Sequence, residues 1–561
     1  MRILFLTRSF NGLAQRLFLE LTERGHEVSI EFDIADSVTE EAAALWQPAL
    51  VVAPFLTRAI PASVWQAVPC FVVHPGIVGD RGPSSLDWAI TEGEATWGVT
   101  VLQAVAEMDA GPVWAHESFT MRAAPKSSLY RREVTEAAVR AVLAAVARFE
   151  RGEGPPPATT PDPRGRLRPL MKAEQRRIDW ARMGMAEVLR HLHAADGSPG
   201  VPDELFGTPC RLYDGHEQPL ATRHEPGRVI ARHEGALLRA THDGGVWIGH
   251  VRRSDIDKPL KLPAVQVFSG QAAALPAWPL PGEAPEPACR DLWHEAVGDV
   301  RVLHFPFHNG AMSTRQCERL NAALQDALAQ PQRVLLLTGG PEFWSNGIHL
   351  HAIESAASAA DESWRNINAI DDVTRTLIEA SDKLVIALMR GNAGAGGVFM
   401  ALAADFVWAR RGVVMNPHYK NMGNLYGSEY WTYLLPRRLQ GASADTVMGR
   451  RLPMAAAAAQ AAGLVDELLE GDPDACLLAA LQKAQQLAAG PQLAPWLQAK
   501  RQRREADEAR RPLAAYRADE LARMRRNFFG FDPSYHIARS NFVHRVPHSW
   551  TPRHLARHRD R

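Results

Sequence analysis

A histidine directly follows the apolar run at residues 71–73. Pro75 restricts the backbone after His74, and Gly76 allows a sharp turn. In an open α/β sheet, chemistry takes place at such strand ends. Imidazole titrates near neutrality, so His74 could exchange protons with a substrate while the carboxylate of Asp109, in a later Asp-Ala-Gly turn, orients it. Taken singly, the two residues have structural interpretations, as a satisfied strand-end histidine and an ordinary turn residue.

Two glycine-containing segments and a later acid–base pair form a second group. Residues 338–350 contain Thr-Gly-Gly and Ser-Asn-Gly-Ile-His, and residues 391–397 read Gly-Asn-Ala-Gly-Ala-Gly-Gly. Glycine lets backbone N–H groups approach a bound molecule, although close helix packing explains either segment alone. Tyr419 and Glu429 follow and could serve as acid and base. Their alternative interpretation is an interface aromatic residue and a carboxylate at a helix N-terminus.

Neither the histidines nor the cysteines predict a metal site. His349 and His351 form a His-x-His pair, but no third ligand accompanies them, and such pairs are usually structural. The five cysteines are scattered and never spaced as Cys-x-x-Cys. They indicate neither a disulfide framework nor structural zinc, and they favour a reducing cytoplasm.

The elements that must position these residues alternate between strands and helices. The predicted strands are short runs at residues 3–7, 50–53, 71–73, 300–305 and 333–337, and a run of alternating polar and apolar residues at 27–32. A helical pattern at 13–24 completes a βαβ opening, and the early runs predict a parallel sheet covered on both faces. The turn after the first strand lacks the Gly-x-Gly-x-x-Gly fingerprint, so no nicotinamide cofactor is expected.

Proline-rich segments divide the chain into an α/β multidomain protein. The predicted units are an N-terminal α/β domain at 1–155, a small OB-like β-barrel subdomain at 170–265, a Pro-rich linker at 266–290, a second α/β domain at 291–470 and a helical region at 471–561. The charged helices at 495–527 are either a solvated face or a docking surface for a partner. The basic tail at 551–561 is expected to be disordered.

Composition limits the partners of the chain. Its 561 residues exceed one hydrophobic core, and its 63 basic and 63 acidic side chains leave no net field to attract nucleic acid or an anionic membrane. No run approaches the roughly 18 apolar residues of a membrane span. The sequence therefore predicts small-molecule substrates, with no nucleic acid and no membrane as partners.

The first group of residues resembles folate-dependent formyltransferases such as methionyl-tRNA formyltransferase. The similarity is carried by His74, the Arg-Gly pair at 81–82, the Gly-Val-Thr strand at 98–100, Asp109 and the segment 177–180. The resemblance implies a Rossmann-like parallel sheet and 10-formyltetrahydrofolate as formyl donor. His74 would stabilise or protonate the tetrahedral intermediate, and Asp109 would position its proton transfers. Val72 replaces an asparagine of the family, so either another donor substitutes for it or transfer to an ordinary amine is impaired.

The glycine-containing segments resemble the two oxyanion-hole segments of the crotonase (enoyl-CoA hydratase/isomerase) family. The resemblance implies an α/β spiral fold and a coenzyme A thioester, whose carbonyl oxygen the N–H groups of Ile348 and Gly396 would bind. Such donors contribute roughly 3–4 kcal/mol each. The two glutamates that handle water in hydratases appear here as Phe399 and His418. Ordinary hydratase activity is therefore not expected.

Over its full length the chain resembles a family of [NiFe]-hydrogenase maturation factors that carry both modules. In that family, a formyl group passes from 10-formyltetrahydrofolate to coenzyme A, and formyl-CoA is split to carbon monoxide for the hydrogenase iron. The resemblance implies hydrogenase maturation proteins as partners and makes Gln15, Arg131 and Ser198 candidate contacts to coenzyme A or folate. We hypothesise that Glu429 takes the formyl proton and Tyr419 protonates the departing thiolate.

Two other functions remain open at this point. One is a formyltransferase for an amine or sugar nucleotide that is fused to an acyl-CoA hydratase or isomerase. The other is a non-catalytic scaffold that binds folate or coenzyme A and docks on an assembly partner through the charged helices.

Overall fold

The protein was analysed as a computed structural model, which describes residues 1–157, 160–441 and 443–560. The chain divides into two units, Met1–Arg290 together with Pro547–Arg561, and Asp291–Val546. Within the part that the structure describes, no helix is long and apolar enough to cross a membrane.

The first unit begins with a six-stranded sheet. Its strands are β1 Arg2–Thr7, β2 Glu27–Phe32, β3 Leu50–Phe55, β4 Cys70–His74, β5 Thr96–Gln103 and β6 Val113–Thr120. The helices between and after them are α1 Gly12–Glu23, α2 Asp36–Trp46, α3 Ala62–Trp65, α4 Ser85–Glu92, α5 Lys126–Leu129 and α6 Thr135–Glu150. One turn of π-helix, Tyr130–Val134, joins α5 to α6.

The strand order in this sheet is β2-β1-β3-β4-β5-β6. The first four strands pair in parallel, as predicted, whereas β4, β5 and β6 pair antiparallel. The short connection between β5 and β6 explains part of this difference, because parallel neighbours need a long crossover. The sheet is therefore mixed. His74 is the last residue of β4, which lies between the parallel strand β3 and the antiparallel strand β5.

Helix α1 shows how the sequence specifies these elements. Leu13, Leu17 and Leu21 recur every four residues and are buried, which places one apolar face against the sheet. Asn11 caps the helix, since its side chain accepts a hydrogen bond from the N–H of Ala14 at 3.0 Å.

An antiparallel sheet completes the first unit before residue 290. Its strands are β7 Val201–Leu205, β8 Thr208–Gln218, β9 Val229–His233, β10 Ala236–Ala240, β11 Gly245–Arg253 and β12 Leu262–Pro263. The order is β7-β8-β11-β10-β9, with β12 paired to β11. Its helices are α7 Met185–Ala195, α8 Ala264–Val267 and α9 Ser269–Ala273. Leu192 of α7 and Val246 of β11 share the buried core of this part.

The second unit contains a six-stranded and a four-stranded sheet. The strands are β13 Trp293–Val297, β14 Val300–Phe305, β15 Val334–Gly339, β16 Phe343–Ser345, β17 Leu384–Met389, β18 Asn392–Gly394, β19 Phe406–Arg410, β20 Val414–Asn416, β21 Met454–Ala455 and β22 Glu467–Leu469. The large sheet has the order β13-β14-β15-β17-β19-β22, and the small sheet has the order β16-β18-β20-β21. Parallel strands after β13 give the repeated β-to-helix winding that the sequence predicts.

Helices cover these sheets and form the end of the second unit. They are α10 Thr314–Ala329, α11 Leu350–Ser355, α12 Ala359–Glu379, α13 Gly396–Leu402, α14 Trp431–Arg438, α15 Ala444–Gly449, α16 Ala456–Ala461, α17 Pro473–Ala489, α18 Leu493–Arg510, α19 Leu513–Phe529 and α20 Ser534–Val543. The charged segment at 495–527 is thus a pair of helices, α18 and α19.

Residues 547–560 belong to the first unit, not to the helical region that precedes them, and Arg561 lies outside the described residues. The N–H of Ile30 donates to the carbonyl of Leu555 at 3.0 Å, so the tail packs along the free edge of β2. His558 is completely buried there. The expectation of a disordered tail is therefore wrong, because the edge of β2 offers the tail backbone partners and buried polar partners that its own composition does not reveal.

Candidate active sites

His74 lies between two carboxylates at the end of β4. Its Nε2 lies 3.0 Å from Asp80 Oδ2, and its Nδ1 lies 3.7 Å from Asp109 Oδ2. The imidazole is buried, and only 12% of the Asp109 side chain is exposed. Asp109 has a left-handed backbone with φ 55°, and its Oδ2 accepts a hydrogen bond from the N–H of Gly82 at 3.1 Å. The structure thus brings the predicted pair together, slightly beyond hydrogen-bond distance.

Asp80 is the more tightly held of the two carboxylates, and the sequence did not point to it. It is fully buried and forms a salt bridge with the buried Arg168. Arg168 also lies 3.2 Å from Glu92 and stacks over the ring of Trp97. A buried carboxylate with a cation on one side and an imidazole on the other holds the ring in one orientation. The signal in the sequence was an acid only six residues after the strand-end histidine.

The turn after His74 is built around the imidazole. A Cβ on Gly76 would collide with His74 Nε2, so glycine is needed here for space and not for a left-handed backbone. Thr100 Oγ1 donates to the carbonyl of Gly76 at 2.8 Å, and Trp97 Nε1 donates to the carbonyl of Pro75 at 3.0 Å. Val72, two residues before His74, packs with apolar residues and has no side-chain hydrogen-bonding group.

The three predicted cofactor contacts lie in segments that hydrogen bonds connect. Gln15 on α1 donates to the carbonyl of Phe10 at 2.9 Å. Arg131 follows Tyr130, whose pKa burial raises above its ordinary value although a hydrogen bond with Asn11, the cap of α1, opposes the shift. The Ser198 carbonyl accepts from Lys126 Nζ at 2.8 Å, at the start of α5. Gln15 and Arg131 are therefore in segments that contact each other. Ser198 contacts Lys126, at the start of the helical segment that leads to Arg131.

In the second unit, Tyr419 and Glu429 are in direct contact. Tyr419 Oη donates to Glu429 Oε2 at 2.5 Å and also lies 3.1 Å from the carbonyl of Ser428. Only 5% of Tyr419 and 1% of Glu429 are exposed. The predicted acid and base thus form a buried hydrogen-bonded pair. The aromatic residue is packed inside this unit, which disfavours its alternative interpretation as an interface residue.

The two glycine segments meet beside this pair. A Cβ on Gly347 would lie 3.4 Å from the N atom of Gly396, and a Cβ on Gly396 would collide with Glu429 Oε1. Ile348 follows Gly347 directly and pairs with Met312 in an isolated bridge. The predicted oxyanion donors therefore belong to adjacent segments, with the Glu429 carboxylate against one of them.

Burial controls the ionisation of the pair. It raises the pKa of Glu429 to about 8, and the neighbouring negative charge of Asp371 adds to the shift. Burial, together with the charge of Glu429, also raises the pKa of Tyr419 well above its ordinary value. Burial therefore favours the protonated form of both side chains.

Phe399 and His418, the residues expected at the positions of the hydratase glutamates, have different surroundings. Phe399 stacks on Tyr419, with ring centroids 5.2 Å apart and planes at 18°. His418, which directly precedes Tyr419 in the chain, is also buried. Phe399 thus gives Tyr419 an apolar neighbour.

His349 has a local structural role. Its Nδ1 accepts a hydrogen bond from the N–H of Ala352 at 3.1 Å and caps α11. Its ring centroid lies 6.2 Å from that of His351. The His-x-His pair is thus engaged in capping on one side, in keeping with its structural interpretation.

Three family models match successive parts of the chain. The formyl transferase model matches residues 25–146, the model of the formyl transferase C-terminal domain matches 170–263, and the enoyl-CoA hydratase/isomerase model matches 294–529. The hydrogenase maturation factor HoxX of Bradyrhizobium diazoefficiens is 56% identical over 100% of this chain and 98% of its own. The chain belongs to the HoxX/HypX family of hydrogenase maturation factors.

Solved structures of the HoxX/HypX family have the same fold along the whole chain. A variant of HypX from Aquifex aeolicus is 43% identical, with a TM-score of 0.95 over 100% of this chain and 99% of that one. HypX from the same organism in complex with tetrahydrofolic acid is 44% identical, with the same TM-score and coverage. A methionyl-tRNA formyltransferase from Dechloromonas aromatica is 26% identical over 37% of this chain and 64% of its own.

The HoxX/HypX fold also brings buried polar residues to Glu429 that sequence reasoning missed. Asp371 of α12 and Glu520 of α19 hold the backbone on either side of this residue, and Ser428 links it to Asp371. They are far from Glu429 in sequence, apart from Ser428, and no motif connects them. The available signal was weak: acidic residues on otherwise amphipathic helices.

Proposed function

We propose that this protein transfers a formyl group from 10-formyltetrahydrofolate to coenzyme A and then releases carbon monoxide from formyl-CoA, for the carbon monoxide ligand of a [NiFe]-hydrogenase. The observation that carries the proposal is the buried Tyr419–Glu429 pair, with its carboxylate against Gly396 in a crotonase-family domain. The family membership and the formyltransferase domains supply the context.

The arrangement around His74 supports the first step. The thiol of coenzyme A adds to the formyl carbon, and the bond from that carbon to the folate nitrogen breaks as the nitrogen gains a proton. His74, held by Asp80 and facing Asp109, is placed to carry a proton in this exchange. An ionised thiol is a strong nucleophile. Transfer to coenzyme A therefore depends less on a side chain that polarises the formyl oxygen, such as the family asparagine that Val72 replaces.

The second unit supports the release of carbon monoxide. Glu429 takes the formyl proton, the carbon–sulfur bond breaks to leave carbon monoxide, and Tyr419 protonates the thiolate. The direct hydrogen bond then returns the proton from Glu429 to Tyr419. The N–H groups of Ile348 and Gly396 polarise the carbonyl in this proposal. No water is consumed, which agrees with Phe399 standing where hydratases have a glutamate.

The cellular setting completes the proposal. Coenzyme A and 10-formyltetrahydrofolate are cytoplasmic metabolites, and cysteines that form no disulfide in the described chain suit a reducing compartment. We place the reaction in the cytoplasm, with hydrogenase maturation proteins as receivers of the product. Gln15, Arg131 and Ser198 are proposed to contact coenzyme A or the folate.

The test separates the two steps by supplying formyl-CoA directly. With 10-formyltetrahydrofolate and coenzyme A, the wild-type protein should release carbon monoxide, measured by the absorbance of haemoglobin. His74→Asn should lower this rate at least about 100-fold but release carbon monoxide normally from added formyl-CoA. Glu429→Gln should lose at least about 100-fold with either substrate, while formyl-CoA accumulates. Glu508→Gln, a half-exposed carboxylate on α18, is the matched control.

Different products would identify the other functions. N-formyl amine or hydrated enoyl-CoA in place of carbon monoxide would favour the fused formyltransferase and hydratase. Intact hydrogenase maturation in cells with His74→Asn or Glu429→Gln, together with its loss on truncation of α18 and α19, would favour the scaffold.

A further inference from the structure

The turn that carries Glu429 has an unusual backbone. Glu429 and Tyr430 have φ angles of 59° and 57°, so two successive residues with side chains adopt the left-handed region. Residues other than glycine avoid this region and persist there only when surrounding structure holds them. Since α14 begins at Trp431, the strained pair lies directly before a helix. Contacts with other elements of the unit must therefore hold this turn in its backbone conformation.

Two buried carboxylates hold this turn from opposite sides. Asp371 Oδ1 on α12 accepts the N–H of Glu429 at 2.8 Å, and its Oδ2 accepts the Ser428 hydroxyl at 2.7 Å. Glu520 on α19 accepts the N–H groups of Tyr430 at 2.9 Å and Thr432 at 2.8 Å. Asp371 and Glu520 are both completely buried. Asp371 therefore fixes the backbone of the base itself, and Glu520 fixes the residues after it.

The same carboxylates set the charge around Glu429. The ionisable groups that influence Glu429 are Asp371 from α12, Glu520 from α19 and Tyr419 from the loop before the turn. Burial and the charge of Glu429 in turn raise the pKa of the Cys317 thiol on α10. Arg517 of α19 is a cation that acts on Asp371; its Nε lies 3.7 Å from Asp371 Oδ2, and its Nη1 lies 2.6 Å from Asp372. Burial raises the pKa of Asp371 to about 6, despite the hydrogen bond from Ser428.

We infer that Asp371 is a positioning residue for the base Glu429, which it orients by accepting the backbone N–H of Glu429 and the hydroxyl of Ser428. Its negative charge also disfavours ionisation of the Glu429 carboxyl. The inference rests on the proposed role of Glu429 in carbon monoxide release. Asp371 acts through Glu429, since its hydrogen bonds go to the turn and not toward Gly396. A buried carboxylate that only stabilised the fold would leave the pH dependence of the reaction unchanged.

Asp371→Asn tests this inference because an amide oxygen still accepts the N–H of Glu429 but carries no charge. The rate of carbon monoxide release from formyl-CoA is measured against pH. The wild-type rate should rise as Glu429 deprotonates near pH about 8. In the variant, this rise should move to lower pH, because the negative charge that raises the pKa of Glu429 is gone. At pH values above the rise, where Glu429 is ionised in both proteins, turnover should fall about tenfold with little change in KM, since a weaker base takes the proton.

Two further variants complete the design. Glu379→Gln, at the exposed end of the same helix, removes one carboxylate without touching the turn and should match the wild type. Glu520→Gln should move the pH profile in the same direction but by less than Asp371→Asn, because Glu520 has the smaller influence on Glu429. Circular dichroism checks that each variant is folded.

The results distinguish the inference from the function beneath it. An Asp371→Asn protein with the wild-type turnover and pH profile overturns the inference alone. A wild-type protein that releases no carbon monoxide from formyl-CoA overturns the proposed function. If Asp371→Asn does not fold, Ser428→Ala removes one donor to Asp371 and should still lower turnover several-fold; unchanged turnover would overturn the inference.

Discussion

Gly396 shows how closely the base approaches the backbone of the second unit. Its Cα lies so near Glu429 Oε1 that any Cβ would collide with the carboxylate. The neighbouring Ala395, with φ 46°, accepts the left-handed conformation that precedes α13. Only glycine therefore fits at position 396, because the carboxylate that acts as base in the proposed reaction occupies the space that a side chain would need.

Gly396→Ala should therefore lower carbon monoxide release by about 100-fold, because the methyl group displaces Glu429 from its partner Tyr419. Release from formyl-CoA, followed by haemoglobin absorbance, measures the effect. Gly449→Ala is the control, since a Cβ there meets nothing within 4 Å. Equal rates for the two variants would show that the carboxylate need not lie against the glycine.

At the scale of elements, α19 stabilises the start of α14 through Glu520. Burial, with the negative charge of Asp371, raises the pKa of Glu520 to about 8, from an ordinary value of 4.5. A carboxyl with a higher pKa in the folded state binds more protons when folded. Its stabilising contribution is therefore fully present below about pH 4.5 and is lost as pH rises through about 8.

Hydrogen exchange in α14 should report this loss. After correction for the intrinsic exchange rate, protection of α14 in the wild type should be lower at about pH 8.5 than at about pH 6. Glu520→Gln should reduce the difference, because the titrating group is gone. Glu508→Gln, on the neighbouring α18, should retain it. A pH difference of equal size in the Glu520→Gln protein would show that other groups cause it.

At the scale of the whole molecule, residues 547–560 pack in the first unit, far in sequence from the strands that they contact. Glu31 on β2 is fully buried; His558 Nε2 and Arg559 Nη2 each lie 2.9 Å from its Oε2. His558 Nδ1 lies 2.7 Å from Ser29 Oγ, and Thr551 also bonds to Glu31. Burial alone would raise the pKa of Glu31, but the hydrogen bonds from the tail lower it below the ordinary value.

Glu31→Gln should destabilise the first unit by about 3 kcal/mol, because it leaves buried tail groups without their charged partner. Urea denaturation at neutral pH measures the change. Glu41→Gln, which removes an exposed partner of Arg559, should cost less than about 1 kcal/mol. Because the pKa of Glu31 is lowered, its contribution is present above about pH 4.5 and is lost as pH falls below that value. Similar stability of both variants would contradict an anchoring role for the tail.

Much of the fold could be predicted from the sequence because its signals are local. The apolar runs at β1, β3 and β4 are continuous, and β2 alternates polar and apolar residues after Gly25. The motifs around His74 and Gly396 are likewise short segments, so the family and the two modules were recognisable from single stretches of residues. The antiparallel pairing of β4, β5 and β6 could not be predicted, since the direction in which strands pair depends on the connections between them.

The sequence by itself determined the identity of the two modules. It also predicted the residues at their centres, which are His74 and Asp109 in one module and Tyr419, Glu429 and Gly396 in the other. Only the tertiary structure decided what holds them. Asp80 with Arg168, Asp371 with Glu520, and the tail around His558 all join residues from separate elements. Such buried charges are stable only when they are paired, and here each partner is distant in sequence. A local pattern of residue types does not predict which distant residues will pair.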